Sequence, residues 1–310
     1  MRSAAALVLG LLVAAALPAR AATVTFNVDD ASEAPDSNTA DGVCHTASNT
    51  CTLRAALQQA TAPSANTFVI NLKAATYSVS ATLPTISTTI TIQGTDAATR
   101  NIQSASPGNP LLFNVGTGGN LTLDHVTVSN AGHGAISIVD GSASITNSVV
   151  TGNTQGAVYV NSSQTPSTLT LTNDTFSGNT NAIGPGALEV SFANLVATNV
   201  TFQGNTGAVG GVAYLHGSTD YTQTFTGCTF SGNSTMGSGG ALYVTAPNVT
   251  VDTSTFDGNT ASGNLYGGGA IYGGGTAPGT LVTNSTFTNN HADNAGGGCK
   301  EGKDDPARHA

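Results

Sequence analysis

The sequence predicts an all-β chain wound into a solenoid, a parallel β-helix closed at its N-terminal end by one short capping α-helix. Three observations carry that prediction. From about residue 120 the chain repeats a Thr-Phe-x-Gly-Asn phrase: "TFSGN" at 175–179, "TFQGN" at 201–205, "TFSGN" at 229–233 and "TFDGN" at 255–259, with degenerate copies "VVTGN" at 149–153 and "TFTNN" at 286–290. The composition is poor for a conventional core in 310 residues: 38 are glycine, aromatics make up 5% and tryptophan is absent. A stack of coils needs fewer large side chains, because each layer buries only a narrow strip. Against this background one segment, "CTLRAALQQA" from Cys51 to Ala60, has apolar residues at helical spacing: Leu53, Ala56, Leu57 and Ala60.

Residues 1–21 have the form of a signal peptide. Arg2 supplies the positive start, "AAALVLGLLVAAAL" (Ala4 to Leu17) the apolar stretch, and Ala19-Arg20-Ala21 a small-x-small cleavage site. The apolar run is short for a membrane span, and no other segment approaches the length one needs. The mature chain is therefore expected outside the cytoplasm, in the periplasm, at the cell surface or in the medium, and not in the membrane.

Residues 22–65 form the predicted cap region. Its acidic stretch, "DDASEAPDSNTADG" (Asp29 to Gly42), offers Asp36, Asn38 and Asp41 as calcium ligands. The spacing is not that of an EF-hand, however, and Pro35 among Ser and Asn fits a solvated loop. Cys44 and Cys51 lie close together and, after export, meet oxidising conditions, so a local disulfide is the natural pairing. Zinc would need a second Cys/His cluster, which does not follow, and no metal is expected. Cys228 and Cys299 sit in different repeats and are expected to be unpaired. The helix is placed at about 52–62, with Thr52 as N-cap and Leu53, Leu57 and Ala60 facing inward. "NTFVINL" (66–72) is the first strand expected beneath it. A solenoid's first coil has no neighbour, so its open edges would recruit another chain unless such a helix covered them.

Residues 66–299 carry the coils. Each unit holds a strand such as "STLTLTNDTF" (167–176), a Gly-Asn turn, and a second strand in a Gly-Ala-aliphatic phrase: "GAISI" 134–138, "GAVYV" 156–160, "GALEV" 186–190, "GGALYV" 239–244 and "GGAIY" 268–272. The closing asparagines, Asn130, Asn153, Asn179, Asn205, Asn233, Asn259 and Asn290, are 23, 26, 26, 28, 26 and 31 residues apart. Coils stacked at about 4.8 Å would turn them into an internal amide ladder. The same stacking predicts a column of Phe176, Phe202, Phe230, Phe256 and Phe287. A second asparagine column, Asn147, Asn173, Asn199 and Asn284 with Asp124, lies six residues earlier. The many Asn-x-Thr matches to glycosylation acceptors follow from the repeat itself. After "NNHADNAGGG" the expected aliphatic phrase gives way to "CKEGKDDPARHA". Residues 300–310 are thus taken as a polar tail or truncation scar, with Lys300 ending the strand and the last coil open to self-association.

The repeats resemble the paired "GGAI" and "FxxN" phrases of chlamydial polymorphic outer-membrane proteins and of many bacterial right-handed parallel β-helix proteins, over roughly Asn120 to Gly298. Cys44, "CTLRAALQQA" and "LPTISTTITIQG" (Leu83 to Gly94) resemble the N-terminal module of the CSLREA-domain family. That resemblance implies a bacterial, exported, right-handed β-helix with no assigned activity. Cys51-Thr52-Leu53-Arg54-Ala55-Ala56 departs from the family phrase at two places: Thr replaces Ser and Ala replaces Glu. Ser-x-x-Glu is a capping box; Thr52 can still cap, but Ala55 cannot reach back.

A net charge of −9, with no Lys or Arg between Arg100 and Lys300, excludes a nucleic-acid partner. Lyase chemistry on related folds resembles calcium carboxylates beside a basic residue, and the repeats have no such set. Hydrolysis needs two carboxylates about 5–10 Å apart. The repeat acids, Asp124, Asp140, Asp174, Glu189, Asp220, Asp252, Asp257 and Asp293, do not fall into a pair. "GHGAISI" (Gly132 to Ile138) resembles a polygalacturonase phrase, yet the acidic and Arg-x-Lys phrases that accompany it there are missing, so His133 is read as a turn residue. The sequence favours an exported structural and interaction module without a cofactor, serving adhesion or glycan binding, with a glycan or protein as partner. The alternative is a polysaccharide lyase or glycoside hydrolase with an unrecognised site.

Overall fold

A run such as Thr168–Thr172 puts every second side chain on one face, and only stacking copies of the run can bury that face. In a computed structural model this strand pairs in parallel with Ser142–Thr146 on one side and Asn194–Thr198 on the other. The structure describes residues 21–62, 66–94, 100–106, 111–263, 267–273 and 279–293, and the backbone of 299–301. Residues 1–20 of the expected signal peptide, the tail beyond 301 and the side chain of Cys299 lie outside the described residues.

Among these residues the strands form four parallel sheets. The first has ten strands in chain order, from Thr23–Val28 to Thr280–Thr283; the second has nine, from Thr76–Val79 to Thr286–Thr288. The third has eight, from Phe113–Val115 to Cys299–Glu301, and a narrow fourth has five, from Thr180–Asn181 to His291–Ala292. One coil visits them in turn, as Thr168–Thr172, Thr175–Ser177, Thr180–Asn181 and Leu188–Ser191 do before the next coil opens at Asn194. Crossovers between parallel strands of one sheet take the right hand. The chain is an all-β, right-handed parallel β-helix, with a single short helix among the described residues.

Three interior columns make the core. Leu121, Ala143, Leu169 and Leu195 line the first sheet, Val128, Val150, Phe176, Phe202, Phe230 and Phe256 the second, and Ile136, Val158, Leu188, Ala213, Leu242 and Ile271 the third; all are at most 4% exposed. The phenylalanines stack from coil to coil, with ring centroids 5.4 Å (176–202), 5.1 Å (202–230), 4.4 Å (230–256) and 4.7 Å (256–287) apart. Beside them runs a buried asparagine ladder. Each Nδ2 donates to the next Oδ1 at 2.8–3.0 Å from Asn153 through Asn179, Asn205, Asn233 and Asn259 to Asn290. That same Oδ1 also accepts the preceding rung's main-chain N–H, so one amide satisfies the backbone at every turn.

Asn130 is not a rung. It is exposed, with φ +59°, and takes the left-handed place that Gly152, Gly178 and Gly204 hold in later coils. The residue in ladder register is Ala131, whose N–H donates to Asn153 Oδ1 at 2.9 Å across 22 residues. Asp124 is displaced from its expected column in the same way: it pairs in register with Thr146, and His125 takes the left-handed corner occupied next by Asn147, Asn173 and Asn199. On the exposed corner the side chain of Asn147 donates to Asp124, that of Asn173 to Asn147, and that of Asn199 to Asn173.

The N-terminal end differs from expectation in one respect. The sheet begins a strand earlier than residues 66–72: Thr23–Val28 pairs with Thr67–Leu72. The helix spans Leu53–Ala60 between them in sequence, burying Leu53, Ala55, Ala56, Leu57, Gln59 and Ala60. Thr52 Oγ1 accepts the Ala55 N–H at 3.0 Å and donates to Ala34 O at 2.7 Å. Arg54 pairs with Glu33 and donates to the carbonyls of Ala81 and Thr82, tying the helix to the strand-end beyond it. Cys44 and Cys51 are disulfide-bonded, with Cα atoms 5.2 Å apart. At the other end, Lys300 does not terminate the strand. Cys299–Glu301 pairs with Ile271–Gly273, because backbone pairing needs no apolar side chain at an outward register position.

Candidate functional site

Alternation that sends Val158, Leu188 and Leu242 inward sends their neighbours outward. The outward column of the third sheet reads Asn114, Ser137, Tyr159, Glu189, Tyr214, Tyr243, Tyr272. The chain has seven tyrosines, and four stand in this one column. A fifth, Tyr221, follows the Tyr214 strand. The rings touch in sequence. From Tyr272 through Tyr243, Tyr214, His216 and Phe192 to Tyr221, successive centroids are 5.0, 5.3, 5.9, 4.5 and 6.4 Å apart. Tyr159 and Phe192 are 38% and 39% exposed, Tyr214 and Tyr243 are half-buried, and Tyr272 is buried at 5%.

Phe192 holds this path together at a conformational cost. It occupies the corner between the third and first sheets with φ +49°, a region where a bulky residue is an outlier worth about 1–3 kcal/mol. Its ring meets His216 edge-on. Asp140 takes the equivalent corner two coils earlier, with φ +58°. Its carboxylate accepts from the N–H groups of Ser163, Gln164 and Thr165, which holds it far below the ordinary aspartate range and clamps that loop.

Beside Tyr159 lies a groove of about 490 Å³, lined by His133, Ser137, Gln155, Tyr159, Ile183 and Glu189 among others. Ile183 is 85% exposed on its rim. Glu189 is half-buried; burial pushes its carboxyl above the usual glutamate range, and His216 in the next coil pulls the other way. Burial, and secondarily the Glu189 charge, raises the Tyr159 hydroxyl.

Other residues singled out from the sequence fall elsewhere. Asp36 Oδ1, Asn38 O and Asp41 Oδ1 do converge, but on the side-chain amide of Gln59 at 3.1, 2.7 and 3.1 Å, so the acidic loop is gathered by the helix. His133 is exposed at the groove edge. Asp174 is interior, accepting from the Ser148 and Thr172 N–H groups. Asp252 and Asp257 bond to Thr283 with Asn284, and to Thr288 with Asn289, in the next coil. Cys228 is buried, and burial raises its thiol to about 11. Of the repeat acids only Glu189 lines the groove. The aromatic column escaped sequence reasoning although Tyr159, Tyr243 and Tyr272 stand in Gly-Ala-aliphatic phrases and Tyr214 in the variant "GGVAYL" at 210–215; the signal was the residue that follows the first buried aliphatic or alanine of each strand.

A sequence model described as right handed beta helix region matches residues 112–290. No curated protein and no solved structure matches the chain.

Proposed function

The chain belongs to the right-handed β-helix family, and from that premise we propose that it is an exported, non-catalytic interaction module that binds glycan chains along the aromatic face of its third sheet. The observation that carries this reading is the contiguous path of rings from Tyr243 to Tyr221, with Tyr272 buried against Tyr243 at its end. Tyrosine joins an apolar ring to a polar tip, which suits the C–H faces and hydroxyls of a sugar together. From Tyr272 to Tyr214 the path crosses three coils, and beyond Tyr214 it turns round the corner past His216 and Phe192 to Tyr221. An extended glycan on the tyrosine column would lie along the solenoid axis with successive sugars over successive coils.

The fold also serves enzymes that act on polysaccharides, and a hydrolase would call for a pair of carboxylates. The groove contributes one among its described lining residues, Glu189, which favours binding over cleavage. Export rests on the signal-like residues 1–21 and agrees with a disulfide at Cys44–Cys51. The Thr52-Leu53-Arg54 cap, similar to that of CSLREA-domain proteins, and the repeats, similar to those of chlamydial surface proteins, point to the cell exterior as the place of action. Among the described residues no helix is long and apolar enough to cross a membrane.

Calorimetric titration against a panel of oligosaccharides tests the proposal, with reducing ends and unsaturated products followed in parallel. Binding without product release is expected, weakened about tenfold or more in a Tyr214→Ala/Tyr243→Ala variant. Release of product, abolished by Glu189→Gln, would favour the hydrolase or lyase instead.

A further inference from the structure

We propose that the ligand of this face is an uncharged glycan and that Glu189 is the residue that rejects acidic ones. This inference rests on the glycan-binding reading and sharpens it to a substrate class. Strand register sets Glu189 between Tyr159 and Tyr214 in the outward column. A chain laid along the axis from one ring to the other therefore passes over its carboxylate, about 4.8 Å from either neighbouring coil. Glu189 also lines the groove beside Tyr159 and is half-buried, where solvent screens a charge less than at an open surface.

No fixed cation stands beside it. The sequence has no Lys or Arg from 101 to 299, the next register position of the column, Lys300, lies four coils on from Glu189, and Asp220 adds a second carboxylate next to Tyr221. The basic side chains nearby are His133, on the groove edge, and His216, within the ring path. A neutral sugar brings hydroxyl donors to Glu189, and hydrogen bonds to an ionised acceptor are the strong ones. A uronate or sulfated sugar brings a like charge to the same place. One side chain thus both attracts the right ligand and repels the wrong one, which is how a difference of affinities is built.

The test compares neutral hexaoses (gluco-, manno- and xylo-configured) with hexagalacturonate and hexaglucuronate by calorimetry at pH 8, on the intact chain and on Glu189→Gln. Far-UV circular dichroism checks the fold of each. The unsubstituted protein should prefer its best neutral hexaose over either uronate by about tenfold or more, which corresponds to about 1.4 kcal/mol. Glu189→Gln should cut that preference to about threefold or less, by tightening the uronate and by weakening the neutral hexaose, which loses its hydrogen bonds to an ionised acceptor. Equal binding of both classes by the unsubstituted protein, or a preference that Glu189→Gln leaves intact, would overturn the inference while glycan binding stood. Failure of both classes to bind would overturn the glycan reading and the inference with it.

Discussion

Replacing Asn205 by alanine should destabilise the solenoid far more than the same change at Asn130, although both asparagines close a repeat phrase. Asn205 is fully buried and joins three coils. Its Oδ1 accepts from the main-chain N–H and the side-chain Nδ2 of Asn179, both at 3.0 Å, and its Nδ2 donates to Phe176 O at 2.9 Å and Asn233 Oδ1 at 3.0 Å. Truncation strips the Asn179 N–H of its acceptor and Phe176 O of this donor, away from water. Each buried group left without a partner costs about 1–3 kcal/mol. With the vacated amide volume added, the expected loss is about 3–5 kcal/mol. Asn130 is exposed, so its truncation costs only the strain of alanine at φ +59°, about 1 kcal/mol. Asn130→Gly should cost nothing. Urea unfolding followed by far-UV circular dichroism gives the difference directly. Amide exchange at Asn179 shows whether the damage is local, since solenoid coils depend mainly on their neighbours. Similar losses at the two positions, or a loss below about 1 kcal/mol at Asn205, would refute the ladder as a source of stability.

Three further outcomes are expected. Cys44→Ser/Cys51→Ser should cost about 2.5 kcal/mol, the chain-entropy value for a loop of this size, and should speed amide exchange around Leu53–Ala60 first. No change in either would mean that the helix holds without its tether. Burial raises the Asp174 carboxyl to about 7 from 3.8, so the native state holds a proton that the unfolded chain has released between those values. Stability should therefore fall as pH rises from about 4 to 7, by up to about 4 kcal/mol in total. Asp174→Ser, which copies Ser148 and Ser254 of the same column, should flatten that dependence; a slope unchanged in the variant would assign it to other groups. Gln223 sits between Leu195 and Val249 in the interior of the first sheet, 1% exposed, with its Oε1 unpartnered among the described residues. Its Nε2 donates to Ala193 O and His216 O, both at a long 3.4 Å, so Gln223→Leu should raise stability by about 1 kcal/mol in urea unfolding, whereas a loss would show that those two bonds outweigh the unpartnered oxygen.

The repeats made most of the architecture legible. A phenylalanine recurring at fixed phrase position has to stack when coils stack, and Phe176 to Phe287 do. Asn130 misled because phrase matching aligns asparagines by type, while the backbone aligns them by conformation. Its coil places Asn in the left-handed position that later coils give to Gly, so the closing place falls one residue on, at Ala131. The strand Thr23–Val28 was not legible because its partner lies 44 residues away, beyond the helix, and no repeat phrase marks it. The tyrosines of the column, all but Tyr214 within the Gly-Ala-aliphatic phrases, were not legible because the phrases align on their glycine, alanine and buried aliphatic positions. Only register shows that Tyr159, Tyr214, Tyr243 and Tyr272 share one outward column with Glu189.

The central claim is that ligand lies on that column. The chain has no tryptophan; of its seven tyrosines Tyr159, Tyr214, Tyr221, Tyr243 and Tyr272 belong to the face, Tyr77 is buried at the other end of the molecule, and Tyr266 lies outside the described residues. Tyrosine-ring NMR spectra recorded during titration with a neutral hexaose therefore locate the contact without any substitution. Shifts at Tyr159, Tyr214 and Tyr243 that saturate together, with Tyr77 unmoved, are the expected result. Saturable binding that leaves those three rings unmoved would contradict it.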